Sequence, residues 1–251
     1  MTVTLWHIEL SHYSEKARWA LDHKGIEHRR RVPLVGAHQL VAMALTRSGH
    51  RRMPVLRLDG RAIGDSTAII AALEARFPEP PLYPADPAER ARALALEDFF
   101  DEELAPALRA FSWHHVLGQH NGIGDSIAPT RPAIRRMLNV SAPLAGRIIR
   151  GDYGATAERE TETRAEIVAA ADRLEHELQP SGYLVGDRFS VADLTAAALF
   201  TPVITPPERP YVPEAFPPAV VALRDELLAR EAGRWVTAMY ARHRGAWHPG
   251  A

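Results

Sequence analysis

Met53-Pro54-Val55-Leu56-Arg57-Leu58-Asp59-Gly60-Arg61-Ala62-Ile63 decides how this chain is read. Val55 to Leu58 and Arg61 to Ile63 have strand character, and Asp59-Gly60 between them tolerates the positive φ of a type I′ turn. The stretch therefore predicts a β-hairpin. Downstream, Ser66 to Phe77 reads as a helix, with Ile69, Leu73 and Phe77 spaced i, i+4, i+8. Upstream, Thr2 to Ile8 has strand propensity through Val3, Leu5, Trp6 and Ile8. Glu15 to Lys24 reads as a helix, with Ala17, Ala20 and Leu21 on one face and Gly25 as its stop. Glu27 to Val32 reads as a second strand and Ala37 to Leu45 as a short helix. The order β-α-β-α-β-β-α predicts an α/β layered domain.

Past the hairpin and its helix the composition changes. Residues 78–84 carry four prolines, which fix φ and remove backbone donors, so an extended linker is expected. Beyond it the chain reads as helical. Leu96, Phe100, Leu104, Leu108 and Phe111 recur at helical spacing, and Pro106 should kink that run. Further helices are expected within 131–150 and 158–178, the latter buried along Ile167, Ala171, Leu174 and Leu178. Ser190-Val191-Ala192-Asp193 opens a helix as a capping box, and the residues after it leave little polar face, which predicts a central helix. Residues 201–218, with seven prolines, should be irregular, and a last helix should span 219–242. The division is a first domain over 1–79, a linker over 80–87 and an all-helical domain over 88–251.

Composition excludes several function classes. The 251 residues contain no cysteine, which removes disulfides, thiolate metal sites and cysteine nucleophiles. A formal net charge of −1 offers no global basic field for nucleic acid or an anionic membrane. No secretory leader is read at Met1-Thr2-Val3-Thr4, and the longest apolar run, Leu194 to Ile204, is broken by Pro202. A soluble, cytoplasmic protein is the expectation. Twelve histidines invite a metal reading, but His114 and His115 are adjacent and diverge on a helix, and there is no HExxH. No metal site is assigned.

Four motifs in order resemble the glutathione transferases: Ser11 to Leu21 (the active-site turn and first helix), Met53-Pro54-Val55-Leu56 (Val-Pro-x-Leu), Asp65-Ser66 (Glu/Gln-Ser) and Gly186 to Asp193 (Gly-x-x-x-Ser-x-Ala-Asp). The resemblance covers about residues 4–110 and 160–200, and it leaves 112–157 unmatched. It implies a thioredoxin-like α/β first domain and an all-α second domain. It also implies glutathione, or another low-molecular-weight thiol, as co-substrate, a small-molecule electrophile as acceptor, and a homodimer.

By that resemblance each motif has a task. Ser11 is the catalytic hydroxyl, donating to a thiolate that also faces the amides of the first helix, expected to start near Ser14. Ser14 is the second candidate and is assigned the helix cap. Met53, ahead of a cis-Pro54, offers its backbone to the peptide. Ser66 receives a carboxylate at the third helix and Asp65 the ammonium, although Asp65 is one methylene shorter than the usual residue. Arg52 and His38 are candidates for the glycyl carboxylate. Tyr13 and His7 flank the thiol, and Phe111, Trp113 and His114 are candidates for the acceptor pocket or for packing between domains. The expected activity is addition of the thiol to a hydrophobic electrophile. The alternatives are a thiol-dependent isomerase, a ring-opening enzyme or a dehalogenase on the same site, or a non-catalytic scaffold of the same fold.

Overall fold

The computed structural model describes residues 3–34, 36–119, 124, 132–213 and 215–245. Thr2 and Arg131, each at the edge of an expected element, lie outside them. The first domain is built from β1 (Thr4–Trp6), α1 (His12–His23), β2 (Arg29–Arg31), α2 (His38–Thr46), β3 (Val55–Leu58), β4 (Arg61–Gly64) and α3 (Ser66–Arg76). This is the predicted order. The sheet runs β2-β1-β3-β4, with β1 parallel to β2 and antiparallel to β3. The hairpin pairs Leu58 with Arg61, and Asp59 and Gly60 take φ of 47° and 81°, as a type I′ turn requires. β2 consists of three arginines and lies at the sheet edge, where charge discourages pairing with another chain.

The second domain contains α4 (Pro87–Phe99), α5 (Ala105–Leu117), α6 (Pro132–Tyr153), α7 (Ala157–Glu177), α8 (Val191–Leu199), α9 (Pro218–Ala229) and α10 (Glu231–Met239). Between α4 and α5 the run widens into a π-helical turn, Phe100–Leu104, and Pro106 then falls in the first turn of α5. The π turn absorbs the missing proline donor, which is the physical form of the expected kink. The single last helix expected over 219–242 is instead two helices and a π turn (Tyr240–Arg244), broken at Arg230, which is extended at φ −88°, ψ 166°. A side chain from α7 stabilises the break: Glu175 accepts from Arg230 Nε at 3.1 Å and from the Ala232 amide at 3.0 Å, capping α10 from outside.

α1 departs from its expected amphipathic form. Residues 14–21 are all buried, including Glu15, Lys16 and Arg18. α1 packs against α3 and against α8, whose every residue is buried, and its Ala17, Ala20 and Leu21 share one core with Leu5 and Leu56 of the sheet. The charged residues survive there because each is paired. Arg18 meets Glu15 at 2.8 Å, Arg244 meets Glu15 at 2.7 Å, and Lys16 meets Glu97 at 2.8 Å and Asp101 at 2.5 Å. Trp19 stacks on Phe189 at the same junction and donates to the His243 carbonyl at 3.2 Å. Helices of the second domain therefore hold the start of α1 in place.

Candidate active site

The turn ahead of α1 sets the site. Ser11 is the N-cap: its Oγ accepts from the Ser14 amide at 3.3 Å and its carbonyl accepts from the Glu15 amide at 2.9 Å. This corrects the expectation that the helix starts near Ser14 with Ser14 as cap. Ser14 is fully buried, faces neither cavity described below, and accepts from the Ile8 amide at 3.2 Å. The reason is geometric: Ser11 is extended at φ −73°, ψ 127°, which aims its hydroxyl at the third amide of the helix. As an acceptor in that bond, Ser11 keeps its O–H free to donate. The amides of His12 and Tyr13 have no partner among the described residues. Arg209, from the proline-rich segment, donates to the Leu10 carbonyl at 3.0 Å and to the Thr201 carbonyl at 2.8 Å, tying this turn to the second domain.

A cavity of about 580 Å³ opens onto Ser11. Met53 and Arg52 reach it from the loop before β3, His38 from the first turn of α2, and Trp113 from α5. The Met53–Pro54 peptide bond is cis, and both residues are buried. A second cavity of about 330 Å³ shares Tyr13, Arg52 and Met53 with the first and is lined by four carboxylates, Asp65, Asp98, Asp101 and Glu102. His50, which also lines it, stands so close to Gly64 that a Cβ there would lie 2.5 Å from the ring. That close approach seats the loop carrying Arg52 and Met53 on the end of β4.

The electrostatics differ between the two ends. Burial pushes the Tyr13 phenol up to about 12, against the pull of Arg109, so it stays neutral. Its hydroxyl is engaged with the Asp101 carbonyl at 3.1 Å. His12 is buried, and desolvation with Arg109 and Arg209 nearby holds it well below its ordinary value, hence uncharged. Burial also lowers His38.

The other candidates divide. Asp65 adopts φ 76° as the N-cap of α3, and its carboxylate accepts from the Thr67 amide at 2.9 Å and the Ala68 amide at 3.1 Å. The helix end reserved for a ligand carboxylate is thus partly filled by the protein's own. Ser66 is buried and faces neither cavity, and its backbone N–H is the amide of that first turn left without a partner among the described residues. His7 does not reach the cavity. It is buried behind the turn, 2.8 Å from Arg18, and desolvation with Arg18 lowers it to about 3. Phe111 is core and packs edge-on against His115, and His114 also lies off the cavity wall. Helical geometry explains the split, since 111 and 114 project from faces other than that of Trp113. Arg109, Arg209, His12 and Tyr153 line the cavity and escaped the sequence reading. Arg109, four residues before Trp113, was within reach of periodicity. Arg209, in an irregular segment, carried no signal.

Residues 5–81 match the family model "Glutathione S-transferase, N-terminal domain", and residues 142–231 match "Glutathione S-transferase, C-terminal domain". The chain belongs to the glutathione S-transferases. Rat (Rattus norvegicus) maleylacetoacetate isomerase is 29% identical over 171 residues, which are 66% of this chain and 77% of that protein. Two solved structures share the fold of this transferase. The beta-etherase LigF from Sphingobium sp. strain SYK-6 superposes with a TM-score of 0.63 at 24% identity, over 95% of this chain and 99% of its own. Human glutathione S-transferase T1-1 superposes with a TM-score of 0.67 at 17% identity, over 97% and 84%.

Proposed function

We propose that this transferase is of the serine type: it binds glutathione across the two adjoining cavities and adds its sulfur to an electrophile in the larger one. The observation that carries this is the convergence on one cavity of Ser11, whose hydroxyl is free to donate, His12 and Tyr13, whose amides are unpaired among the described residues, and Met53. The acidic cavity suits the α-ammonium of the γ-glutamyl group, with Asp65 and the Ser66 amide at its edge. Arg52 spans both cavities, Met53 extends the peptide, and His38 and Arg52 are placed for the glycyl carboxylate.

The chemistry follows from the sulfur. A free thiol has a pKa near ~8.5, and lowering it by two units requires about 2.7 kcal/mol of preference for the anion. A hydroxyl hydrogen bond and a helix N-terminus supply that kind of term. Tyr13 does not compete for the role, because its hydroxyl is engaged elsewhere. Ser11→Ala should raise the pKa of bound glutathione and lower kcat/KM for conjugation about 10- to 100-fold, while Ser11→Thr keeps most of both. Thiolate absorbance against pH, with calorimetric binding of glutathione, reads this. Unchanged turnover in Ser11→Ala overturns the serine assignment, and absence of glutathione binding to the wild type favours a scaffold.

The similarity to an isomerase supports a second reading on the same site. There the thiolate adds to a conjugated double bond, the bond rotates, and elimination returns the thiol. The two readings separate by stoichiometry, because conjugation consumes one glutathione per turnover and isomerisation consumes none. A homodimer is part of the proposal and is read by sedimentation. No helix among the described residues is long and apolar enough to cross a membrane.

A further inference from the structure

The larger cavity holds a charge that the thiol does not use. Arg109, on α5, sits between two phenol rings, its guanidinium carbon 4.5 Å from the Tyr153 centroid and 5.7 Å from that of Tyr13. Its Nε is buried without an acceptor, and no carboxylate lies within ion-pair distance among the described residues. Burial lowers its affinity for the proton, but a guanidinium remains charged in a protein. Arg109 is half-buried, and a cation drawn even partly out of water is normally paired, because desolvation without a counter-charge is costly.

The neighbouring charges do not supply the pairing. Arg51, Arg52, Arg109 and Arg209 line the cavity, against one carboxylate, Asp152, among the described residues. Arg51 and Arg52 stand at the peptide end beside Met53, and Arg209 is engaged with two backbone carbonyls. Arg109, away from the peptide end, has neither a hydrogen-bond nor an ion-pair partner among the described residues. The buried Nε2 of His12, on the same wall, also lacks a partner. Past Arg109 the wall turns apolar, with Trp113, Val116 and Phe216. The two rings flank the guanidinium carbon, and a guanidinium takes a carboxylate through two parallel N–H···O bonds.

We propose that the acceptor substrate carries a carboxylate, bound by the Arg109 guanidinium, on an apolar body that lies against Trp113, Val116 and Phe216. This deepens the thiol reading above and depends on it only in taking the acceptor as the second ligand of that cavity. Calorimetry with two probe pairs on the full chain tests it. The first pair is S-benzylglutathione against the three S-(carboxybenzyl)glutathione isomers. The second, without glutathione, is cinnamate against cinnamamide. In the wild type, at least one carboxylated conjugate binds about tenfold tighter than its parent, and cinnamate binds tighter than the amide. Arg109→Met loses both preferences, and Arg109→Lys keeps part of them. The wild-type comparisons stand even if a variant folds poorly. Glutathione binding with no preference for any carboxylated probe overturns the proposal and leaves the thiol site intact. Absence of glutathione binding with an Arg109-dependent preference for cinnamate overturns the thiol site and leaves the carboxylate site standing. Failure of both pairs overturns both.

Discussion

A single residue, Lys16, shows how this chain tolerates charge in its interior. Its ammonium is fully buried and meets Glu97 at 2.8 Å, Asp101 at 2.5 Å and the Thr67 hydroxyl at 2.8 Å. These partners belong to α3, α4 and the π turn, so one side chain of α1 ties both domains together. Removing one partner of a buried ionic cluster leaves the others uncompensated and costs about 3–5 kcal/mol. Lys16→Met should lower stability by that amount in urea denaturation. Lys16→Met with Glu97→Gln should lose less, because the second change removes one orphaned charge. Equal losses would show that packing, and not pairing, sets the cost. Ser11 is the counterpart at the surface of the site: one hydroxyl caps the helix and still has a proton to give.

Among the elements, α8 carries the clearest local code. Asp193 accepts from the Ser190 amide at 2.9 Å and the Ser190 hydroxyl at 2.8 Å, which closes the predicted capping box. It also accepts from the Leu184 amide at 2.8 Å, a bond that sequence spacing did not foretell. Asp193→Ala leaves two buried amides unpaired, each worth about 1–3 kcal/mol. The thermal midpoint should fall by several degrees, with the helical signal of the folded state retained. Loss limited to that of a surface cap, about 1 kcal/mol, would mean that water reaches the amides.

At the scale of the whole molecule the histidines set the pH response. His7, His12, His23, His28, His38, His115 and His243 are all held below their ordinary value by burial. Above pH ~6.5 they are neutral in both states and have no effect on stability. As pH falls below that value the unfolded chain takes up protons that the native chain refuses, so stability drops, by about 1.4 kcal/mol per pH unit for each such proton. For His7 the window runs from 6.5 down to about 3. Asp193 opposes this: burial raises its carboxyl to about 6, so between there and ~4 it favours the native state as pH falls. Glu97 is raised in the same sense. The histidines outnumber these acids. Urea denaturation should therefore show lower stability at pH 5 than at pH 7, with net proton uptake on unfolding. Equal stability at the two values would mean that the acids cancel the histidines.

The sequence alone determined what local chemistry determines. Asp59-Gly60 demanded its turn, the spacing of apolar residues its helices, the Ser190–Asp193 pair its cap, the order of elements the α/β layering, and the four motifs the resemblance to the family. It also named the wall residues next to those signals: Ser11, Met53, Arg52 and Trp113. Only the tertiary structure decided which serine caps α1, because that depends on how the loop from β1 enters the helix. It likewise sent His7 behind the turn and Phe111 into the core, and it brought Arg209 across from an irregular segment to hold Leu10. Arg109 became a half-buried, unpaired charge only when Tyr13 and Tyr153, from separate domains, closed on it. Such features arise from approaches between residues far apart in the chain, and neither periodicity nor spacing encodes where two distant segments meet.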